Sequence, residues 1–311
     1  MKNHKSVLGL LVVVLVCLSA AAQAQAPQAK LKFTFNDVTI SGTEEVDSYG
    51  INNNGVVTGD YIESDGVTWH GFYCKLNTKG ACGKVTNIDD TSSGATKTQG
   101  YGINSSGEIV GYYLNSSGLD QGFLYKGGTF TDIGPSGDIS IANGINDKGL
   151  IVGGYTDSSS GVQYGFLYDG TTYTQLAPSG CAGTTTAAWG INNKDWITIY
   201  CINTSGVYDS FLTKDKGKTF KKIDVPNATQ SVVHTINNAG NIVYTIFDSS
   251  GYAHGVLYYG GKYTQFDDPK ESSSAGTRGD GLNSKLVILG RYGAGPTGGN
   301  GGFGYEAIVK K

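Results

Sequence analysis

Tyr49-Gly50-Ile51-Asn52-Asn53-Asn54-Gly55 returns with small changes as Tyr101-Gly102-Ile103-Asn104-Ser105-Ser106-Gly107 and as Asn143-Gly144-Ile145-Asn146-Asp147-Lys148-Gly149. The phrase is either a chemical site copied several times or a backbone turn copied several times. Its hydrophobic anchor recurs as Ile51, Ile103, Ile145, Ile191, Ile236 and Leu282, at intervals of 52, 42, 46, 45 and 46 residues. A period of that length belongs to solenoids and propellers. Each unit runs from a strand ending at the anchor, through a short turn, to a second strand such as 109–113 or 151–155. A Ser/Asp/Gly-rich turn follows (115–118, 157–161, 203–206, 248–251), then a third strand (122–125, 165–168) and a fourth (129–133, 172–176). Four short strands per unit is the signature of a propeller blade.

The expected fold is therefore all-β: a six-bladed β-propeller of four-stranded antiparallel blades, with repeats near 47–89, 99–134, 141–177, 187–226, 232–267 and 278–311. The sixth unit supplies Val287–Tyr292 and 302–308 but no fourth strand, while 32–40 reads as a strand without a unit of its own. The segment 32–40 is expected to complete the last blade and close the ring, removing exposed sheet edges. Composition agrees. The 311 residues include 48 Gly, roughly double average usage, with 20 Tyr and 16% charged residues, which suits short strands and tight turns. A net charge of −3 without a basic run excludes a nucleic-acid footprint.

The first residues read as an export signal. Lys2, His4 and Lys5 precede an apolar run over 7–22, and Ala22-Gln23-Ala24 is a small-x-small cleavage pattern. The expectation is a signal peptide over 1–24, a single domain over 25–311, no membrane span after cleavage, and an extracellular or periplasmic monomer. Cys17 goes with the signal. The remaining Cys74, Cys82, Cys181 and Cys201 suit two disulfides in an exported chain. Cys74 lies on the third strand of the first unit and Cys82 in the loop after it. Cys181 leaves the third unit on the rim where Cys201 ends the second strand of the fourth. That register selects Cys74–Cys82 and Cys181–Cys201.

Asn follows the anchor in all six units (Asn52, Asn104, Asn146, Asn192, Asn237, Asn283), and Gly follows three residues later at Gly55, Gly107, Gly149 and Gly240. This is turn chemistry: Asn caps its own turn and Gly takes the positive φ that ends it. No carboxylates stand at matching positions for a metal ring, and no cofactor is implied. The Asp157 and Asp248 turns supply too few oxygens for calcium and read as plain turns.

The repeat phrase, with His70-Gly71-Phe72 in the third strand, resembles the secreted HAF repeat proteins, whose repeat reads Gly-Ile-Asn-x-x-Gly, a Gly/Tyr strand, then His-small-Phe-Leu. The resemblance covers nearly all of 32–311 and implies an exported repeat fold. The motif histidine stands at His70 and His254, with Gln121, Tyr164, Asp209 and Gly301 in the other units.

Two residues before each anchor stand Tyr49, Tyr101, Asn143, Trp189, His234 and Asp280, a varied aromatic and polar set expected beside the central channel. Aromatics with a few polar groups suit carbohydrate or peptide binding. The expected function is non-enzymatic binding of such a ligand at the channel mouth. Alternatives are a secreted hydrolase or lyase using His234, Asp280 and nearby tyrosines, and a structural surface protein. No Gly-x-Ser-x-Gly elbow occurs. Thr213–Phe220 resembles a sialidase-type Asp-box, a hairpin motif rather than an active site. With only Arg278 and Arg291, the chain lacks the arginine cluster a sialidase needs.

Overall fold

The computed structural model describes residues 31–91, 94–135, 138–181, 185–271, 275–293 and 303–310. The expected signal segment lies outside them. Every regular element among the described residues is a β-strand. The first element among the described residues is β1 (Lys32–Asp37). The first unit is β2 (Thr43–Ile51), β3 (Val56–Glu63), β4 (Trp69–Lys75) and β5 (Thr86–Asn87). The second is β6 (Thr98–Ile103), β7 (Ile109–Leu114), β8 (Asp120–Lys126) and β9 (Thr129–Ile133). The third is β10 (Ile139–Ile145), β11 (Ile151–Thr156), β12 (Gln163–Tyr168) and β13 (Tyr173–Leu176). The fourth is β14 (Thr186–Ile191), β15 (Ile197–Ile202), β16 (Tyr208–Thr213) and β17 (Lys221–Lys222). The fifth is β18 (Gln230–Ile236), β19 (Ile242–Phe247), β20 (Ala253–Tyr259) and β21 (Lys262–Phe266). The sixth is β22 (Thr277–Leu282), β23 (Val287–Tyr292) and β24 (Phe303–Lys310).

Units two to five are four-stranded antiparallel meanders. The sixth receives its missing strand from the other end of the chain: β1 pairs antiparallel with β24, from Lys32 opposite Lys310 to Asp37 opposite Tyr305. A single parallel pairing, Val46 with Phe303, joins this sheet to β2. The N-terminal strand is shorter than the 32–40 expected. Val38 still donates its N–H to the Gly304 carbonyl of β24 (2.8 Å), and Thr39 then pairs in parallel with Ala81 next to the disulfide-bearing loop. The fourth strands of units one and four shrink to two residues.

The core lies between neighbouring sheets. One cluster joins Leu150, Val152 and Leu167 of the third unit to Ile191, Ile197 and Phe211 of the fourth. The third-strand phenylalanines Phe72, Phe123 and Phe166 are fully buried, each contributing roughly 2–3 kcal/mol of apolar burial. Both expected disulfides are formed.

The repeated turn is built as its sequence implies, with an addition. The Asn52 Oδ1 accepts the backbone N–H of Asn54 (2.9 Å) and Val56 (3.0 Å), closing its own turn. Gly55, Gly107, Gly149 and Gly240 take φ of 76°, 80°, 79° and 87°. The fourth and sixth units have Asp195 and Leu286 at that point, and both still adopt the left-handed conformation, at 61° and 62°. The addition is the other end of the amide. Asn52 Nδ2 donates to the Asn104 carbonyl (3.0 Å), Asn104 to Asn146 (3.3 Å), Asn146 to Asn192 (3.1 Å), Asn192 to Asn237 (3.0 Å), Asn237 to Asn283 (3.1 Å), and Asn283 back to Asn52 (3.2 Å). Each asparagine thus spends its acceptor on its own turn and its donor on the next unit.

The Asp-box-like hairpin also closes on itself. Asp215 accepts from the Thr219 hydroxyl through Oδ2 (2.6 Å), and from the Thr219 N–H (2.9 Å) and the Thr213 hydroxyl (2.8 Å) through Oδ1, which together pull its carboxyl down to about 2. Asp157 is held down to about 2 by the hydroxyls and N–H groups of Ser159 and Ser160, as a plain turn requires.

Candidate functional site: the central cavity

The first strand of each unit is innermost, and its last residues line a cavity of about 110 Å³. All six residues two before the anchors reach it: Tyr49, Tyr101, Asn143, Trp189, His234 and Asp280. They form one layer. The Tyr49 and Tyr101 rings meet edge-on at 4.6 Å, Tyr101 and Trp189 lie 5.9 Å apart, and Trp189 meets His234 edge-on at 4.9 Å. His234 Nδ1 stands 3.5 Å from Asp280 Oδ1. Asn143 turns aside and donates to the Ala188 carbonyl at 2.9 Å. The layer is deep: His234 is 7% exposed and Asp280 5%, while Tyr101 and Trp189 are half-buried.

Arg291 completes the circuit. Its Nε donates to Asp280 Oδ2 (3.2 Å), it reaches Asp47 at 4.0 Å, and its guanidinium lies 5.0 Å from the Tyr49 ring centroid. Arg291 belongs to a second set that sequence reasoning missed. Nine residues after each anchor (51 and 60, 103 and 112, 145 and 154, 191 and 200, 236 and 245, 282 and 291) stand Asp60, Tyr112, Gly154, Tyr200, Thr245 and Arg291. These second-strand positions back the inner layer. Tyr112 lies 5.7 Å from Tyr101, Tyr200 6.4 Å from Trp189, and the Thr245 hydroxyl 3.2 Å from His234 Nε2. The fixed offset was a readable signal.

The opposite end of the cavity is polar and more exposed, with Asn53, Ser105, Asp147, Asn193, Asn238 and Ser284. Side chains there brace neighbouring turns: Ser284 N–H donates to Asn53 (2.9 Å), Ser105 to Asp147 (2.8 Å), Asp147 to Asn193 (2.9 Å) and Asn193 to Asn238 (2.8 Å). Gly50 lets the inner strands approach. A Cβ there would come within 2.5 Å of the Tyr101 carbonyl oxygen.

Electrostatics define what the layer can do. Burial lowers His234 to about 4, only partly opposed by Asp280 and reinforced by Arg291 and Arg278, so the imidazole is neutral at pH 7. Burial pushes the Tyr49 and Tyr101 hydroxyls well above their usual range, with Asp47 adding to the effect on Tyr49 and Tyr112 to that on Tyr101. Asp280, His234 and Thr245 line up as a relay would, but Thr245 is 1% exposed and does not line the cavity. The two motif histidines stand elsewhere. His70 sits between Asp89 (2.6 Å) and Glu63 (3.1 Å), and His254 bonds Asp267 (2.8 Å). Among the described residues, no group of three His, Cys, Asp or Glu is placed to hold a metal ion.

No family model matches the chain, and no curated protein matches it. Solved structures do. The lectin SapL1, in complex with alpha-methyl fucoside, is 13% identical over 88% of this chain and 97% of that one, with a TM-score of 0.51. The Hadza microbial sialidase Hz136 is 10% identical over 86% of this chain and 65% of its own, with a TM-score of 0.53. A fungal lectin from Aleuria aurantia, described as a six-bladed β-propeller, is 12% identical over 82% and 89%, with a TM-score of 0.49. At such identities the likeness concerns the fold alone: the chain is an all-β protein of the β-propeller kind.

Proposed function

We propose that this chain is an exported, closed six-bladed β-propeller of the HAF-repeat type that binds carbohydrate without transforming it. The exchange of β1 onto β24 and the return of the asparagine hydrogen bonds from Asn283 to Asn52 support the closed ring. Two disulfides suit an oxidising compartment. A lectin of this fold, SapL1, is described with a fucoside bound.

The observation that carries the binding reading is the convergence of six unlike side chains from six repeats on one cavity. His234 Nδ1 and Asp280 Oδ1 in that layer are buried without a hydrogen-bond partner. Purely structural repeat positions tend to be alike, as the turn asparagines are. The cavity, at about 110 Å³, is well below the roughly 300 Å³ of a full ligand pocket. The ligand therefore seats one polar substituent between the aromatic rings and the His234–Asp280 pair, with the rest of the sugar outside. The hydroxyl bonded to His234 is that of Thr245, which is buried and does not line the cavity, and this favours binding over hydrolysis.

The test is a glycan and peptide array probed with the mature chain and with a Trp189→Ala/His234→Ala double variant. Glycan binding that vanishes in a folded double variant is expected. Equal binding by both proteins, or peptide binding alone, would overturn this reading.

A further inference from the structure

In an antiparallel meander the first-to-second and third-to-fourth turns lie at one end of the sheet, and the second-to-third turns and the connections between units at the other. The open end of the cavity is at the first of these, since all six first-to-second turns line it. Charge divides along the same line. Every unit places an exposed lysine at the cavity end: Lys75, Lys126, Lys148, Lys194, Lys262 and Lys285. Lys148, Lys194 and Lys285 occupy one repeated position, three residues after the anchors Ile145, Ile191 and Leu282. The Asp-box-like hairpin adds Lys214, Lys216 and Lys218, all exposed, while its Asp215 is spent on its own turn. The other carboxylates there are also occupied. Glu108 pairs with Lys126 (2.6 Å) and Asp195 with Lys148 (2.8 Å), while Asp147 and Asp169 accept from neighbouring turn groups. Lys75, Lys194, Lys262 and Lys285 have no ion pair among the described residues.

The other end is acidic. Glu63, Asp120, Asp157, Asp209 and Asp248 stand at the second-to-third turns, and Asp37 ends β1 on the same side. The lysines there are already taken: Lys97 over the Trp69 ring (3.6 Å), Lys222 between Asp209 (2.9 Å) and Asp224 (3.0 Å), and Lys270 on Asp37 (2.5 Å). Behind them Glu45 is 3% exposed with neither oxygen hydrogen-bonded, and burial, then Asp47, raises its carboxyl to about 7. Large apolar side chains divide the other way. Val67, Leu119, Ile139 and Phe303 are exposed at the acidic end, whereas among the described residues the cavity end exposes only Tyr263, on an outermost strand. A chain of net charge −3 thus keeps one face basic, polar and open. A fixed field of this kind draws in anions, and a face so poor in exposed apolar groups does not suit insertion into a lipid surface.

We propose that the lysine-bearing face around the cavity mouth binds an acidic polysaccharide, a polyuronate chain whose carboxylates pair with the exposed ammonium groups while hydroxyls of one sugar reach Asn53, Asn238 and Ser284 at the mouth. The inference rests on the carbohydrate reading above and names the sugar class. A lysine ammonium is a hydrated point charge on a flexible stem, suited to carboxylates that repeat along a chain rather than to one fixed anion. Lysines from several units give the contact its strength through number, since a single exposed pair contributes little. Methyl esterification would remove the ligand's charges and leave its hydroxyls.

Calorimetric titration of the mature chain with a de-esterified oligogalacturonate, its methyl ester, a neutral cello-oligosaccharide of the same length and polyglutamate tests the assignment. The oligogalacturonate is expected to bind about tenfold more tightly than its ester and than polyglutamate, and to lose about tenfold in affinity from about 50 to about 300 mM salt. Lys194→Gln/Lys285→Gln should weaken it about fivefold. Lys222→Gln/Lys270→Gln, the same loss of charge at the acidic end, should leave it unchanged. Equal affinity for the acid and its ester, or an equal response of the two double variants, overturns the proposal. Polyglutamate, single-stranded DNA or vesicles of an anionic phospholipid binding as tightly as the oligogalacturonate overturns the sugar class. Neutral glycans that bind through Trp189 with no preference for the uronate would leave the broader carbohydrate reading standing and remove this one, whereas absence of binding to every glycan removes both.

Discussion

Asn283 Nδ2 donates to the carbonyl of Asn52 at 3.2 Å, across 231 residues of sequence. The bond repeats, between the last and first units, what every other neighbouring pair of units does. The same Asn283 side chain accepts the N–H groups of Lys285 (2.9 Å) and Val287 (3.1 Å) through Oδ1. One buried amide thus shapes a turn and ties two ends of the chain.

Asn283→Ala should remove all three bonds and leave buried backbone groups unpaired, a loss of about 3 kcal/mol. Asn283→Asp separates the roles, since it keeps the turn acceptor but sets a carboxylate against the Asn52 carbonyl. Both should lower the midpoint of denaturant unfolding. An Asn283→Ala variant that unfolds with the wild type would show that the ring of amides contributes nothing.

Two glycines of the opening phrase should differ in cost for different reasons. Gly55 has φ of 76°, and a methyl group added there would meet only open space, so Gly55→Ala carries only the left-handed backbone penalty, about 1 kcal/mol. At Gly50 a methyl would collide with the Tyr101 backbone, which cannot give way, so Gly50→Ala should cost about 3 kcal/mol or more. Chemical denaturation of the two variants side by side decides it. Similar losses would contradict the close-approach argument.

The Cys181–Cys201 bridge joins the loop leaving the third unit to β15, and both sulfurs are buried in the shared core. The Cys181→Ala/Cys201→Ala variant should lose about 3 kcal/mol from the freed loop, with a further loss from the core. Removing Cys74–Cys82, which spans 8 residues against 20, should cost less. Thermal unfolding of the two double variants ranks them.

Much of this was legible because the turn chemistry is local. Asn52 and Gly55 act within five residues of each other, so type and spacing suffice. The inner layer was legible because a strand's register carries over from its anchor. What escaped depends on distant chain. The donor half of Asn52 finds its partner 52 residues on. Arg291 and its equivalents show only when the second strands are aligned to the anchors. Glu45 escaped because the register shifts between Thr43 and Glu45, so simple alternation does not fix the face it occupies.

The pH profile of stability should hide two opposing contributions. Buried His234 has its pKa lowered from 6.5 to about 4. The unfolded chain takes up that proton first, so this contribution is complete above about 6.5 and is lost as pH falls towards 4, reaching about 3 kcal/mol. Glu45 is the reverse, raised from 4.5 to about 7. The unfolded chain loses its proton first, so this contribution is complete below about 4.5 and is lost as pH rises to 7. Glu45 is buried, and the contribution amounts to about 3 kcal/mol. Between pH 4.5 and 6.5 the two slopes oppose each other and the wild-type profile should be shallow. His234→Gln should expose the Glu45 slope, with stability falling as pH rises. Glu45→Gln should expose the His234 slope, with stability falling as pH drops, and should raise stability at pH 8. Denaturant unfolding at four pH values reads the slopes whatever each substitution does to the overall level, and parallel profiles for all three proteins would refute the assignment.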